Sequence, residues 1–422
     1  MIALLLIVMF VFLLLNFPMV IPMIAAPLAV MIFYMPDYLN ISIATQQLIG
    51  GVSAQVLLAV PMFILAADIM CAGYTTKRLL DFVQTFVGHI RGGMAITTAI
   101  TCTIFGAISG STQATVVAIG KPMRGRLMQL GYSDSASSGL IIDSAIIALL
   151  IPPSISMIMY AVVTGSSVGD LFIAGVGPGL LILLFFAVYS YFYARKKKMP
   201  CLPKASWHDR GIAFRKAIPP LGFPVIIFAG IYSGFFSPTE ASAVAVAYAI
   251  ILEMFVYKTI KPKDLKKISL SSAVVTCAVF ILVSGGQLFS WVISYAKIPT
   301  MLTNALLGTS PSALKILVMV TIFFFIGCMF VDSLVVIIIL SPIFYPIAVA
   351  AGIDPIHLGI IITLQAAIGS VSPPFGCNIF TACAIFNRPY LDIVRGIPPY
   401  LIMLVGVTII VILCPQLSLF ML

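Results

Sequence analysis

Two segments of this chain combine backbone interruptions with small hydroxyl residues, which is the chemistry needed to hold a cation inside a membrane. The first has a polar stretch at 105–112 followed by Pro152-Pro153, and the second has one at 326–333 followed by Pro373-Pro374. Both the polar stretch and the proline pair recur 221 positions later, so the spacing between them is the same in the two sets. Paired interruptions in the two halves of a membrane protein indicate a transport site.

Each proline pair predicts backbone carbonyls without helical partners. Two consecutive prolines remove two N–H donors, and in hydrocarbon the freed oxygens must be satisfied by protein, water or ions. These carbonyls lie near 148–151 and near 369–372. The residues expected to complete the two sites are Ser109, Ser111 and Thr112 for the first, and Gly327, Asp332 and Ser333 for the second. The alternative is a kink repaired by neighbouring helices, but the paired occurrence favours ion or substrate binding.

An anionic substrate would depend on helix N-termini, because neither interrupted segment contains Lys or Arg. Free N–H groups and the helix dipole attract carboxylates there. The residues predicted to lie nearest a substrate are Thr112, Gln113, Ser154, Ser333, Asn378 and Thr381. Interhelical hydrogen bonding is an equal alternative for Asn378 and Thr381. Asp143 lies in an apolar segment and is expected to cap a helix near one membrane face.

The composition predicts an all-α polytopic membrane protein. The chain is 61% hydrophobic and 9% charged, with a mean hydropathy of +1.18, and many apolar runs approach the roughly 20 residues of a spanning helix. Of the 23 Lys and Arg residues, 21 lie in a few loops rather than on one aromatic-rich basic face, which argues against nucleic acid as a partner. The positive-inside rule makes these loops cytoplasmic.

Counting crossings between the basic loops predicts an inverted repeat. The basic loops lie on the same side of the membrane only if the segment 93–120 is a re-entrant hairpin, which enters and leaves from one face. The segment 313–350 then enters the membrane from the opposite face. Both termini are predicted to be periplasmic. The segments 41–51, 75–88 and 297–310 are interpreted as interfacial amphipathic helices. The predicted domains are N-terminal scaffold helices with an arm (1–92), first-repeat transport elements (93–194), a basic cytoplasmic connector (195–217), second scaffold helices with an arm (218–310) and second-repeat transport elements (311–422).

These motifs, together with the Phe236-Ser-Pro-Thr-Glu-Ala241 turn, resemble the large membrane (M) subunit of TRAP (tripartite ATP-independent periplasmic) transporters over essentially the whole chain. The resemblance implies an elevator-type transporter of the bacterial inner membrane, driven by a Na⁺ gradient. It would take up an organic acid such as sialic acid or a C4-dicarboxylate. The implied partners are a small membrane (Q) subunit and a periplasmic substrate-binding protein (P).

The resemblance also implies two Na⁺ sites, with Na⁺ co-transported as the only cofactor. They fall on Ser109, Ser111, Ala148, Ile151 and Pro153, and on Gly327, Gly369 and Ser372. The interruption argument adds Asp332 and Pro374 to the second site, and Gln113 is a candidate for substrate selectivity.

The principal alternative is a stand-alone Na⁺/dicarboxylate symporter of the same inverted-repeat design, which would need no binding protein. An enzyme is disfavoured because the chain has neither a His-Glu-x-x-His motif nor paired acidic residues in its spans. ATP-driven transport is disfavoured because the sequence contains no G-x-x-x-x-G-K-[ST] loop.

Overall fold

The computed structural model describes residues 1–35, 41–302 and 312–422, and these ranges contain helices but no β-strand. The first ten helices are α1 (Ile2–Leu14), α2 (Val20–Tyr34), α3 (Ile41–Val52), α4 (Ala59–Ala72), α5 (Thr75–Val87), α6 (Gly93–Ser109), α7 (Thr112–Gln129), α8 (Asp134–Ala145), α9 (Ile155–Thr164) and α10 (Val168–Lys196). The remaining helices are α11 (Trp207–Tyr232), α12 (Pro238–Ile250), α13 (Pro262–Tyr295), α14 (Ile298–Leu302), α15 (Ala313–Phe330), α16 (Ser333–Ala350), α17 (Pro355–Gly369), α18 (Cys377–Phe386), α19 (Tyr390–Val394), α20 (Pro398–Leu413) and α21 (Gln416–Leu419). Short 3₁₀ turns occupy Gln55–Leu58 and Ile146–Leu149, and a π-helical segment occupies Ile251–Val256.

The described part of the chain supports a multi-pass membrane protein. Seven apolar helical segments are long enough to cross a bilayer: Gln55–Ala72, Val168–Lys196, Trp207–Tyr232, Pro238–Val256, Pro262–Tyr295, Ala313–Phe330 and Ser333–Ala350. Helices α1, α2 and α20 are apolar but shorter. The predicted arms at 41–51 and 75–88 are helical as α3 and α5, whereas most of the third, 303–310, lies outside the described residues.

Two helical hairpins and two interrupted helices occur at the same spacing that the sequence shows. Helices α6 and α15 end 221 residues apart, α7 and α16 begin and end 221 residues apart, and α8 and α17 begin 221 residues apart. Side-chain caps fix both hairpin turns: the Ser111 hydroxyl accepts the Ala114 N–H at 3.4 Å, and the Asp332 carboxylate accepts the Leu334 N–H at 3.0 Å. A helical hairpin followed by an interruption thus occurs twice at the same spacing, and each such set is called a hairpin-plus-interruption unit.

Both predicted interruptions are present. Residues 150–154, the first break, separate the turn after α8 from α9, and residues 370–376, the second break, separate α17 from α18. The Pro152–Pro153 and Pro373–Pro374 peptide bonds are both cis. Ser154 caps α9 by accepting the Met157 N–H at 3.3 Å.

Two helices begin earlier than the hydrophobic pattern predicted, because a cap precedes each. The apolar run at 140–162 predicted a span that begins at 140, but helix α8 starts at Asp134, since the Ser133 hydroxyl accepts the Ala136 N–H at 3.2 Å. Helix α11 starts inside the predicted 195–217 connector, because Ser206 and Asp209 form a capping box. The Ser-Pro-Thr-Glu pattern at 237–240 predicts a helix cap with Pro at the first helical position, and the structure confirms it, with the Glu240 carboxylate accepting the Ser237 N–H at 2.8 Å.

Each hairpin packs against the interrupted helix of both units. Helix α6 contacts the 146–149 turn of its own unit, while α7 packs on α18 of the other. Correspondingly, α15 packs on α17 of its own unit and α16 on α9 of the other. The remaining long helices surround this assembly: α13 contacts α2, α3, α4 and α16, α12 contacts α4, and α11 contacts α5. Each unit thus packs one hairpin helix on the half-helix of the other unit, an arrangement called here the exchange of partners. It brings both hairpin turns to the two breaks.

Candidate ion and substrate site

The first hairpin turn touches the first break through two glycines. A Cβ on Gly106 would lie 2.6 Å from the Ala148 Cα, and a Cβ on Gly110 would overlap the Pro153 carbonyl oxygen. Gly110 also has a φ of +59°, in the left-handed region where glycine carries no steric penalty. Backbone contact at Ala148 and Pro153 therefore places the turn beside two of the predicted Na⁺ ligands.

The first turn carries a buried group of uncharged oxygens. The Ser109 hydroxyl lies 3.1 Å from the Thr115 hydroxyl and 3.3 Å from the Ser111 carbonyl oxygen. Thr115, which the sequence analysis missed, donates to that carbonyl at 2.9 Å. Its signal was its place one helical turn after Ser111. No hydrogen bond from the described residues reaches the carbonyl oxygens of Ile151 or Pro153, although both residues are buried. These neutral oxygen atoms are suitable ligands for a monovalent cation.

The second hairpin turn is more open. Asp332 is exposed and already caps α16, and the Gly327 carbonyl accepts the Val331 N–H at 2.9 Å. Gly369 packs closely on the backbone of Cys328, where an added Cβ would lie 2.7 Å from the carbonyl carbon. Asp332 can exchange its capping bond for an ion, because its carboxylate is accessible.

The second break satisfies several of its own carbonyls. The Gly369 oxygen accepts the Ser372 N–H at 3.1 Å, and the Ser372 oxygen accepts the Gly376 N–H at 3.0 Å. The Tyr390 hydroxyl donates to the Pro374 oxygen at 2.8 Å. The two predicted ion sites thus differ: buried carbonyls are left without partners at the first break, whereas protein donors occupy those of the second.

Four of the side chains near the predicted substrate site meet where the two units join. The Thr112 hydroxyl donates to the Asn378 Oδ1 at 2.9 Å, and both residues are buried. The exposed Gln113 side chain contacts the thiol of Cys377, at the start of α18. Asp332 lies near enough to Cys377 to interact with it electrostatically. Cys377 was not among the residues predicted for this site, and no spacing rule marked it.

The other predicted substrate residues are placed differently. Ser154 is wholly buried and caps α9, while the Thr381 hydroxyl bonds to the Cys377 carbonyl within α18 at 2.9 Å. Ser333 is the first residue of α16. The expectation that Asp143 caps a helix near a membrane face is wrong: it lies inside α8, wholly buried, and neither carboxylate oxygen has a partner among the described residues.

An ion network joins the two units at the far ends of their helices. Arg124 of α7 forms two bonds to the Asp134 carboxylate, at 2.6 and 2.7 Å, and Arg388 adds a third at 2.8 Å. The hydrogen bonds from Arg124 lower the pKa of the Asp134 carboxyl below its ordinary value of 3.8. One carboxylate thus ties α7 and α8 of the first unit to the loop after α18 of the second.

Comparison with known proteins supplies a family. Residues 6–417 match the family described as "Tripartite ATP-independent periplasmic transporter, DctM component". The ectoine TRAP transporter large permease protein of Halomonas elongata is 52% identical, over 97% of this chain and 96% of that protein. The ectoine/5-hydroxyectoine TRAP transporter large permease protein of Ruegeria pomeroyi is 51% identical, over 98% and 96%. The C4-dicarboxylate TRAP transporter large permease protein of Pseudomonas aeruginosa is 40% identical, over 86% and 85%.

Among solved structures, the YdaH transporter of Alcanivorax borkumensis superposes with a TM-score of 0.66. That alignment covers 90% of this chain and 89% of the other at 15% sequence identity. The likeness concerns the fold alone.

Proposed function

This chain belongs to the DctM family, the large membrane subunits of TRAP transporters, and from that premise we propose that it carries ectoine or a similar small zwitterion into the cell, coupled to Na⁺. The observation that carries the proposal is the junction of the two hairpin-plus-interruption units, closed by the Thr112–Asn378 hydrogen bond of 2.9 Å. A site between two such units is where a secondary transporter holds its substrate and its ions.

The charge of the junction supports a zwitterion over a dianion. Its side chains are neutral donors and acceptors, from Thr112, Gln113, Cys377 and Asn378, with one nearby carboxylate, Asp332. Ectoine is a cyclic amidine bearing a single carboxylate, so its delocalised cation can face Asp332 while its carboxylate faces the start of α18. A C4-dicarboxylate would bring two negative charges beside Asp332 without an Arg or Lys in the interrupted segments. Relatives with about half their residues identical are named for ectoine, which revises the sialic-acid or dicarboxylate expectation.

Na⁺ has a specific role in this proposal. An ion held by Ser109, Ser111 and the carbonyls of the first break would fix the first turn against α9. A second ion at Gly327, Asp332 and the second break would fix the second turn against α18, with one Asp332 oxygen on the ion and the other facing the substrate's cation. Each ion thus assembles one side of the substrate site, and without the ions neither turn would be held against its half-helix.

Alternating access in this scheme is a movement of the two interlocked units as one body against the other helices. The reciprocal packing of α7 on α18 and of α16 on α9 supports it, because a movement of one unit alone would break both contacts. The ion network at Asp134 ties the same two units together at a second place. We further propose an inner-membrane location with periplasmic termini, a small membrane subunit against the outer helices, and a periplasmic protein that delivers the substrate.

The test is uptake into proteoliposomes of labelled ectoine, succinate and sialic acid, with and without an inward Na⁺ gradient, the small subunit and the binding protein. We expect Na⁺-dependent ectoine uptake that requires the binding protein, with little uptake of the other two. Ectoine uptake that ignores the Na⁺ gradient would contradict the coupling. Uptake that ignores the binding protein would favour the stand-alone symporter, and preferential succinate uptake would overturn the substrate assignment.

A matched pair of variants tests the first ion site. Ser109→Ala removes a hydroxyl from the predicted ligands, whereas Thr98→Ala removes a buried hydroxyl of the same helix that bonds only the Met94 carbonyl, at 2.9 Å. Losing one ligand should cost about 1–2 kcal/mol of binding, or roughly 5–30-fold in half-saturating Na⁺. Equal Na⁺ dependence in the two variants would remove Ser109 from the site.

A further inference from the structure

Helices α5 and α11 form a basic and aromatic surface outside the transport site. Helix α5 packs on α11, and the Phe82 ring lies 5.9 Å from that of Phe214 and 5.1 Å from that of Phe86. The surface lies in the most basic stretch of the chain, which lies at the inner end of the proposed topology. Its centre is Arg210, in the first turn of α11.

Arg210 is a buried cation without an anionic partner among the described residues. The residue is 9% exposed, and its guanidinium carbon lies 5.5 Å from the Phe86 ring centre and 5.0 Å from that of Trp207. Its Nε and Nη2 atoms are buried and make no hydrogen bond within the described structure. The neighbouring carboxylate of Asp209 is engaged by Ser206, whose hydroxyl donates to it at 2.6 Å. Unpaired buried donors of this kind are costly, so the arrangement calls for an anion.

The surroundings attract anions. The connector and first turns of α11 contain eight basic residues against one acidic residue, Asp209: Arg195, Lys196, Lys197, Lys198, Lys204, Arg210, Arg215 and Lys216. Helix α5 adds Lys77 and Arg78, and Arg78 donates to the Lys216 carbonyl at 3.4 Å. Basic clusters next to a membrane helix favour anionic headgroups by about 1 kcal/mol per charge when they lie near the surface.

Below this cluster, α11 presents an apolar stripe. Trp207, Phe214, Ile218 and Val225 recur at helical spacing on one face and are 79%, 49%, 51% and 59% exposed. Gly211 lies on the same face, and nothing occurs within 4 Å of where its Cβ would be, so this face is open at the residue that follows Arg210. Trp is typical of the headgroup level of a bilayer, and the stripe continues from there into the span.

We propose that Arg210 binds the phosphate of an anionic phospholipid whose acyl chain lies along the Phe214–Ile218–Val225 stripe. The planar guanidinium can bind a phosphate through two parallel hydrogen bonds. The Trp207 ring, which covers the guanidinium but is mostly exposed, swings aside to admit the headgroup. The polar site and the apolar track are adjacent on one helix, which fits a lipid better than a free anion or a protein segment.

The experiment measures lipid binding to the detergent-purified full chain by native mass spectrometry, comparing phosphatidylglycerol with phosphatidylcholine. The variants are Arg210→Gln, Arg210→Lys and, as a control, Lys263→Gln, which removes an exposed charge at the start of α13. We expect at least a tenfold preference for phosphatidylglycerol in the unmodified chain and in the control. Arg210→Gln should lose most of that preference, and Arg210→Lys should keep an intermediate part, because the charge remains while the planar fork is lost.

Three results would overturn the proposal. The first is an Arg210→Gln variant that keeps the preference of the Lys263→Gln control. The second is inorganic phosphate at millimolar concentration displacing phosphatidylglycerol completely, which would indicate a phosphate site rather than a lipid site. The third is loss of the lipid when the small membrane subunit is added, which would make this face a protein interface. The melting temperature of each variant in phosphatidylcholine shows whether it is folded.

Discussion

Gly106→Ala tests the contact between the first hairpin and the first break. The added Cβ would lie 2.6 Å from the Ala148 Cα and 2.7 Å from its Cβ, so the two helices must separate by roughly 0.8 Å to reach the 3.4 Å at which ordinary contact begins. The matched control is Gly125→Ala on α7, where nothing lies within 4 Å of the new atom. Both changes add one methyl group to a helix, and only one meets a neighbour.

The two substitutions should change the free energy of unfolding in opposite directions. Replacing a helical glycine by alanine stabilises by about 0.5–1 kcal/mol, which is the expected gain for Gly125→Ala. Overpacking costs about 1–3 kcal/mol, so Gly106→Ala should be destabilised by up to roughly 2.5 kcal/mol after the same gain is subtracted. The separation also moves the Ala148 carbonyl away from Ser109, and a ligand displaced by that distance should weaken Na⁺ binding roughly 5–30-fold.

The assay combines thermal unfolding with a Na⁺ titration of ectoine uptake. Gly106→Ala should unfold a few degrees below the unmodified chain and need more Na⁺ for half-maximal uptake, while Gly125→Ala should match or exceed the unmodified chain in both measurements. If the two variants unfold at the same temperature and show the same Na⁺ dependence, the close approach of α6 to the first break is refuted, and with it the placement of the first ion site.

Three further predictions concern side-chain bonds. Thr112→Val and Asn378→Ala should each lower stability by about 1–3 kcal/mol, because each leaves a buried polar group unpaired, and a double-mutant cycle by thermal unfolding should show a coupling near 1 kcal/mol; additive losses would mean that the two residues do not meet. Asp134→Asn should lower the melting temperature more at pH 7 than at pH 3: Arg124 depresses the pKa of Asp134, so its contribution is fully present well above 3.8 and declines as the pH falls below 3.8 towards the lowered value. An equal loss at both pH values would contradict this. Tyr390→Phe should increase protease cleavage or hydrogen exchange at the second break, whose carbonyl it holds at 2.8 Å, and unchanged exchange would show that the bond is dispensable.

The local features of the fold could be predicted from the sequence because they act within a few residues. Proline pairs interrupt a helix wherever they occur, and the two turns are fixed by caps at Ser111 and Asp332. The starts of α8 and α11 were misplaced, although Ser133 and the Ser206-x-x-Asp209 box carried the signal. The predicted starts were placed where the apolar run begins. In these two helices the first turn precedes the apolar run, so the capping residue determines where the helix begins.

The partners across the junction could not be predicted. Thr112 and Asn378 are 266 residues apart, and their contact depends on α7 packing against α18 rather than α9. A helix that is apolar on every side has no amphipathic pattern, so its sequence does not show which face packs against which partner helix. For the same reason, nothing marked Cys377 as the thiol that faces Gln113, and the buried position of Asp143 could not be told from a helix end.

The exchange of partners between the two units has a consequence for synthesis of the chain. Helix α7 cannot bury its face until α18 has emerged, and at about 5–20 residues per second the ribosome needs roughly 10–50 seconds to cover the intervening sequence. During that interval the Thr112 hydroxyl lies in a half-built protein without its final partner, Asn378. The insertion machinery or the lipid must therefore cover this face of α7 until α18 has been made.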